Sequence, residues 1–339
     1  MNRLKVGVIG LGRLGTLRAA DIACRIEGAE LAAVCDVAEE RVVRIGEQYN
    51  VSHRFTDYRE LLELDDIESV VISNSSERHA EVVCRAMTEG KHIFCEKPIA
   101  LDKEQLACME RLIRDDLIFQ VGFTKRMDGD YLTMKNLMQK GEIGKPVFVN
   151  CLATEAMDNI EFYKQFGPES GGMIFDIAIH DIDLVRWFMQ SEPISIYAMG
   201  GVFGFQEIKQ MGDIDNYLIS LKLQNGTMAQ LQGQRNPQSE FVREVEIMGT
   251  KGSLLHRVDT KGLITVSGTE ATRIIKGDGG MNAFVFKYRK LYTEELKAFV
   301  DCIQKGTHPP ANFYDGKIAV EAACDAVTSL KENKVIHRR

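Results

Sequence analysis

Lys97 stands just past the apolar run His92-Ile93-Phe94-Cys95, after Glu96 and before Pro98, a proline that biases the lysine toward extended backbone. An ammonium held at a strand end can hydrogen-bond a substrate hydroxyl and stabilise negative charge developing on its oxygen. The plain alternative is a solvated surface lysine. A second group lies in Gly171-Gly172-Met173-Ile174-Phe175-Asp176-Ile177-Ala178-Ile179-His180-Asp181-Ile182-Asp183. Apolar residues at 174, 177, 184, 185 and 188 keep helical spacing, so Asp176 and His180 share a face. An imidazole, with an ordinary pKa of about 6.5, suits a base that takes a proton from an alcohol at neutral pH. Asp176 beside it would orient the ring, favour its protonated form or bind a second hydroxyl. A helix-surface ion pair is the competing account. Asp176, His180, Asp181 and Asp183 also raise the question of a metal, but successive acids on a helix do not point one way, and no metal is expected.

A third group opens the chain. Lys5-Val6-Gly7-Val8-Ile9 reads as a buried strand and runs into Gly10-Leu11-Gly12-Arg13-Leu14-Gly15, a complete G-x-G-x-x-G. A helical segment follows, then the apolar run Leu31-Ala32-Ala33-Val34-Cys35, ending in Asp36. Gly10 permits the tight turn, Gly12 lets backbone approach a pyrophosphate, and Gly15 lets the helix pack on the strand. The helix N-terminus offers free N–H groups to phosphate. Asp36, about 20 residues on, can accept hydrogen bonds from an adenosine ribose. Gly10, Gly12, Arg13, Leu14 and Asp36 are the expected contacts of this turn. A carboxylate at 36 repels a 2′-phosphate and Val37 and Ala38 supply no cation, so the expected cofactor is NAD, with Arg13 a partial compensation toward NADP.

These groups need elements to hold them. Up to about Phe123, apolar strands alternate with amphipathic helices, the pattern of a doubly wound parallel sheet. Asp57-Tyr58-Arg59-Glu60 and Asp102-Lys103-Glu104-Gln105 resemble capping boxes. Ser69-Val70-Val71-Ile72 and His92–Cys95 read as inner strands, each followed by polar residues, Ser73-Asn74-Ser75 and Glu96-Lys97-Pro98. Ligands of open α/β sheets sit at the carboxyl ends of strands, so both triplets are expected at one crevice with the glycine turn. Beyond a helix near Tyr131–Gln139, β character dominates. Gln224-Asn225-Gly226-Thr227 marks a hairpin, and Gly249–Gly252 a second turn. The expected division is a cofactor domain over 1–123 and a second α/β domain over 124–339 with a large, mostly antiparallel sheet. Late helices are expected around Thr293–Gln304 and Asp315–Lys331.

At 339 residues, 45% hydrophobic and 27% charged, the chain suits a soluble two-domain protein. A net charge of −7 without a basic cluster argues against nucleic acid. No apolar run reaches the length of a membrane span, and a strand this near the start leaves no room for a signal peptide. Eight scattered cysteines without a C-x-x-C pair point to reduced thiols in the cytoplasm.

The glycine turn, Glu96-Lys97-Pro98, and Gly171-Gly172 with Asp176-x-x-x-His180 together resemble the glucose-fructose oxidoreductase and inositol dehydrogenase family, over essentially the whole chain. The resemblance implies a Rossmann domain plus an α/β domain whose open sheet often forms the oligomer interface, hence a homo-oligomer, dimer or tetramer. It implies that Lys97 and His180 flank the reacting alcohol, with His180 as general base and Asp176 as its partner. Gly122-Phe123-x-x-Arg126-x-Asp128 and the run through Asp183-Leu184-Val185-Arg186-Trp187 are most similar to the inositol dehydrogenase branch. Thr124 and Lys125 depart from the Met-Arg pair of that branch, which leaves the polyol open. Ser73, Asn74, Ser75, Glu96 and Lys97 match the cofactor-contacting positions of relatives. Arg126 and Tyr292 match substrate-pocket positions, and core packing is the equal alternative for Tyr292. His79 has two equal readings, a role near the nicotinamide or a helix-start histidine bound to backbone.

The implied activity is NAD-dependent oxidation of a ring hydroxyl of a cyclic polyol, most similar to myo- or scyllo-inositol dehydrogenation. An aldose or keto-sugar dehydrogenase, an NAD-dependent glycosidase and a non-catalytic NAD-binding regulator stay open. The choice of substrate rests on loops around residues 153–170 and 235–242.

Overall fold

Short runs rich in β-branched and aliphatic residues, most of them buried on both faces, build the sheet of the first of two units. The structure, a computed structural model, describes residues 3–156, 160–236, 241–258, 263–268, 272–276 and 281–338. Strands β1 (Leu4–Ile9), β2 (Ala29–Cys35), β3 (His53–Phe55), β4 (Ser69–Ile72), β5 (His92–Cys95) and β6 (Phe119–Val121) alternate with helices α1 (Arg13–Cys24), α2 (Glu39–Gln48), α3 (Tyr58–Leu62), α4 (Ser76–Thr88) and α5 (Lys103–Glu110). The strands form one sheet in the order β3-β2-β1-β4-β5-β6, and every adjacent pair is parallel. The order reverses beside β1, which puts the glycine turn at the topological switch point, where open α/β sheets bind ligands. Both expected caps form: the Asp57 carboxylate accepts from Arg59 N–H, and that of Asp102 from Gln105 N–H.

In the second unit, alternation of buried and exposed residues gives sheet strands with one covered face. A 3₁₀ turn (Thr124–Met127) leads to α6 (Gly129–Gln139) and β7 (Pro146–Ala156), then α7 (Ile160–Ser170), a π-helical turn (Ile174–Ala178) and α8 (Ile179–Met189). Strands β8 (Pro193–Gly201), β9 (Asn216–Leu223), β10 (Met228–Asn236), β11 (Val242–Gly249), β12 (Gly252–Val258), β13 (Leu263–Gly268) and β14 (Thr272–Lys276) follow, with α9 (Gln206–Gln210) between β8 and β9. The chain ends with α10 (Met281–Lys305), α11 (Phe313–Glu332) and β15 (Ile336–His337). The sheet runs β14-β13-β12-β11-β7-β10-β9-β8-β15, antiparallel except for β7 against β10. The expected Asn225-Gly226 turn joins β9 to β10, with Gly226 at φ +85°.

One cut after residue 123 does not divide the chain. The first unit comprises Met1–Thr124 and Lys290–Lys317, the second Lys125–Arg289 and Ile318–Arg339. The reason is packing: Leu296, Phe299 and Val300 of α10 join Val8, Leu31, Val34, Val71 and Phe94 in one buried cluster. Each such side chain stabilises by about 1.5–3 kcal/mol when fully buried. α10 also begins at Met281, earlier than expected, because Thr293 is not a cap; its hydroxyl donates to Asp21 at 3.0 Å. Of the two loops tied to substrate choice, residues 157–159 and 237–240 lie outside the described residues. The 153–170 segment carries α7 despite Pro168 within it. Among the described residues no helix is long and apolar enough to cross a membrane.

Candidate functional site

In the first unit the glycine turn is built as a cradle. Gly10 sits at φ +89°, and a Cβ there would lie 2.4 Å from Asn74 N, so only glycine fits. A Cβ on Gly15 would strike Gly10 O at 1.8 Å, whereas nothing lies within 4 Å of one on Gly12, leaving open space at the start of α1. That helix end has no side-chain cap and no acid in its first turn, which suits an anionic ligand. Arg13 and Leu14 form its first turn. Asp36 accepts from Leu11 N–H at 2.6 Å and Ala38 N–H at 2.9 Å, so it braces the turn from the end of β2. Arg41 lies 3.5 Å from Asp36, a cation the sequence reading overlooked because it is one helical turn past Val37 and Ala38.

Ser73, Asn74 and Ser75 follow β4. Ser73 Oγ and Asn74 Oδ1 are buried without a hydrogen-bond partner among the described residues. A glycine cradle at an uncapped helix start, an acid at the second strand and two orphaned polar atoms at the next strand end together fit NAD. His79 is fully buried, with Nδ1 2.7 Å from Pro98 O and Nε2 3.1 Å from Asn74 O. Burial holds its pKa below the ordinary value, against the two carbonyls. His79 therefore ties the Asn74 loop to the residues after Lys97, the backbone-bound alternative. The Lys97–Pro98 peptide is cis.

Glu96, expected at the cofactor, turns instead to Arg18. The Arg18 side chain has no exposed surface and donates from Nη2 to Glu96 at 2.6 Å and to Glu295 at 2.7 Å. Its Nη1 donates to Tyr292 O at 2.8 Å, and its guanidinium lies over the rings of Phe94, at 4.6 Å, and Tyr292, at 5.1 Å. Tyr292 is thus a stacking partner of Arg18 within α10 and not a residue preceding that helix. Burial, then Glu96, pushes its phenol up to about 12. Burial pushes Glu295 up to about 7, against Arg18.

In the second unit, Gly171 and Gly172 take φ of +80° and +84°. A Cβ on Gly172 would lie 2.6 Å from Asp213 Oδ1, so the glycine admits this carboxylate to the helix start, where it accepts from Met173 N–H. Tyr163 of α7 donates to the same carboxylate at 2.5 Å. Asp176 lies in the π turn and His180 in the first turn of α8; such turns recur at functional sites. From Met173 to Arg186, Asp176 and His180 are the two residues with partial exposure; their neighbours are buried. The shared face expected from their spacing is therefore the open face of this helix.

The other acids of the motif are engaged elsewhere. Lys125 donates to Asp181 at 2.5 Å, and Arg126 grips Asp183 with Nε at 2.9 Å and Nη2 at 2.7 Å. Arg126, expected to meet substrate, is buried in this bidentate pair and ties the 3₁₀ turn to α8. The side chains that hold Asp176 were not foreseen. Arg235 of β10 donates to it at 2.7 Å and to Glu155 of β7 at 3.0 Å, and Arg243 of β11 also bonds Glu155. Their one signal was parity: Arg235 follows Ala229, Leu231 and Gly233 on the covered side of its strand, where a charge needs a partner. The eight cysteines are free thiols, and burial pushes those of Cys95 and Cys151 up, against a nucleophilic role.

Comparison with known proteins gives the family. Residues 4–123 match the model of an oxidoreductase family with an NAD-binding Rossmann fold, and residues 131–255 that of the GFO/IDH/MocA C-terminal domain. The chain is 30% identical to a myo-inositol 2-dehydrogenase of Thermotoga maritima, covering 98% of both chains. It is 28% identical to a scyllo-inositol 2-dehydrogenase (NAD(+)) of Bacillus subtilis, over 97% of this chain and 95% of that one. The structure of scyllo-inositol dehydrogenase from Lactobacillus casei with bound NAD(H) and scyllo-inositol superposes with a TM-score of 0.87, at 29% identity and 99% coverage of each chain. With a glycine cradle in one unit and the Asp176–His180 helix in the other, the chain belongs to the GFO/IDH/MocA family of NAD-binding oxidoreductases.

Proposed function

We propose that this chain oxidises a ring hydroxyl of a cyclic polyol, myo- or scyllo-inositol, to the inosose. The observation that carries the reading is the helix on which Asp176 and His180 alone are partly exposed between Met173 and Arg186. Bound NAD would supply a hydride acceptor for oxidation at the carbon that bears the reacting hydroxyl. Gly10, Gly12, Arg13 and Leu14 would hold its phosphates, Asp36 its ribose, and Ser73, Asn74 and Ser75 the neighbouring groups. His180 accepts the hydroxyl proton. Lys97 donates a hydrogen bond to the same oxygen and stabilises charge on it as proton and hydride leave. Asp176 orients the imidazole and favours its protonated form, which also serves the reverse reduction.

Charge matching supports a neutral substrate. Arg235 and Arg243 are met by Asp176 and Glu155, and Lys125 and Arg126 by Asp181 and Asp183. A polyhydroxyl ring needs hydrogen-bonding groups rather than a net cation. The names of relatives that act on myo- and scyllo-inositol point the same way. The protein is further read as a cytoplasmic homo-oligomer. Met199, Leu218, Gln232 and Leu152 are register neighbours on the outer sheet face, and Met199 and Phe203 are exposed there, a surface suited to a second copy.

The test is NADH formation by the purified chain with NAD or NADP and a panel of myo-, scyllo- and D-chiro-inositol, glucose, galactose and xylose. Turnover of an inositol with NAD is expected, lost in Lys97→Ala and His180→Ala with NAD binding kept, and light scattering should give a mass above the monomer's. Turnover of an aldose alone overturns the substrate. Turnover that survives either substitution overturns the assigned chemistry.

A further inference from the structure

We propose that Arg235 is a positioning residue for the reaction: it keeps the Asp176 carboxylate ionised and aimed, and so sets the imidazole of His180. This rests on the roles given above to Asp176 and His180.

The sheet brings the pieces together by register. Arg235 of β10 pairs across the parallel ladder with Glu155 of β7, and Arg243 of β11 is opposite Ala153, two residues from Glu155 on the same face. Three central strands thus place arginine, glutamate and arginine in a row at one end of the covered face. The Arg235 side chain keeps only 7% of its surface exposed. Its Nη2 donates to Asp176 Oδ2 at 2.7 Å and to Glu155 Oε2 at 3.0 Å, and its Nε to Glu155 Oε2 at 3.2 Å. Burial opposes the charge, but Asp176 and Glu155 outweigh it and hold Arg235 above its ordinary value. Glu155 answers in kind: burial raises it, and Arg243 and Arg235 bring it below the ordinary carboxylate value.

Arg235 also acts on the other end of the Asp176 turn. Its guanidinium lies 4.7 Å over the ring of Tyr163, whose hydroxyl bonds Asp213, and Asp213 accepts from Met173 N–H at the helix start. One planar group therefore fixes the Asp176 side chain directly and the backbone that carries it through two more residues. A lysine has the charge but neither the fork nor the stacking face. Among the described residues, the charged and titratable groups around Asp176 include Arg235 from β10, Glu155 from β7, Tyr163 from α7, Asp213 before β9, Arg243 through Glu155, and His180 on its own helix. Glu155 presses a like charge on Asp176, and the Arg235 guanidinium between them offsets it.

The experiment compares wild type, Arg235→Lys, Arg235→Met, Asp176→Asn and the Arg235→Met/Asp176→Asn double variant of the full chain, with kcat and KM measured across pH. Arg235→Met should lower kcat on the order of 10²-fold, the scale of one acid–base contribution, with a smaller change in KM. It should also raise the acid limb of the kcat/KM profile by about one pH unit, the scale of a lost ion-pair partner. Arg235→Lys should recover part of the rate. In the Asp176→Asn background, Arg235→Met should cost little more, because both act through one carboxylate. Effects that multiply, or an unmoved acid limb, overturn the proposal. A carbon-13 NMR titration of the Asp176 carboxyl in wild type and Arg235→Lys reads the same hold without a substrate. An unchanged titration in both Arg235→Lys and Arg235→Met overturns the role of Arg235; a shifted titration with no polyol turned over leaves that hold standing and overturns the function.

Discussion

Replacing Arg18 by methionine tests how the first unit holds the residues around Lys97. Methionine keeps much of the length and apolar body of arginine and removes its charge. The structure then leaves Glu96 and Glu295 facing each other's buried surroundings, with side-chain exposures of 10% and 2%, and without the cation that bonds both. Breaking a buried ion pair from one side costs about 3–5 kcal/mol, because the stranded charge keeps its desolvation penalty. Here two carboxylates share one arginine, and the stacking on Phe94 and Tyr292 is lost as well, so the upper part of that range applies. In a unit of about 150 residues, about 1 kcal/mol moves the melting temperature by about 2–4 °C, so a fall on the order of 10 °C is expected. The loss should be smaller at pH 5 than at pH 8, since a stranded carboxyl can take a proton in acid. Arg18→Met/Glu295→Gln should recover part of it by removing one stranded charge. Thermal unfolding followed by circular dichroism at the two pH values reads all three effects. A fall of less than ~1 kcal/mol at pH 8, or equal losses at both pH values, refutes the account of Arg18 as the shared counter-charge.

Two further outcomes follow from the same sites. Gly172→Ala forces a side chain into φ +84° and against Asp213 at 2.6 Å; backbone strain of about 1–2 kcal/mol and a displaced helix start should lower kcat at least ~10-fold with NAD affinity kept, and a wild-type kcat contradicts this. Glu295 keeps its proton to about 7, against an ordinary 4.5, so the stability it contributes is complete below about 4.5 and is lost as pH rises to about 7; chemical denaturation across that window should show this loss in wild type and a flatter profile in Glu295→Gln, and identical slopes would remove burial of Glu295 as its cause.

What was legible in the sequence was local. The strands β1, β2, β4 and β5 announce themselves as apolar runs, and the glycine turn, the caps at Asp57 and Asp102 and the Asn225-Gly226 hairpin each complete their signal within a few residues. β3 escaped because its three residues, His53–Phe55, are polar or half-exposed. α7 escaped because Gly167 and Pro168 break its pattern. The chemistry-bearing residues were legible as types, but their partners were not. Arg18 sits in a helix that reads as amphipathic, and its carboxylates are 78 and 277 positions away. Arg126 likewise meets its partner Asp183 only in the fold, 57 positions away.

That division has a physical origin which bears on how this enzyme is tuned. A turn, a cap or a helix face is specified by neighbours in sequence, so the acid, the base and the phosphate cradle can be read off one line. Ionisation and orientation are set by whatever the fold packs against those groups. Asp176 is held by Arg235, an arginine 59 positions away, and the Glu96-Lys97 pair is anchored by an arginine 78 positions away. In both units the residue assigned to the chemistry lies within four residues of, or is itself, a carboxylate gripped by a buried arginine. Within this reading, relatives that keep Lys97, Asp176 and His180 can differ in pH optimum and substrate through changes at positions such as 18, 155, 235 and 243. Exchanging the arginine at 235 alone should move the pH profile while the identities of acid, base and cofactor stay as they are.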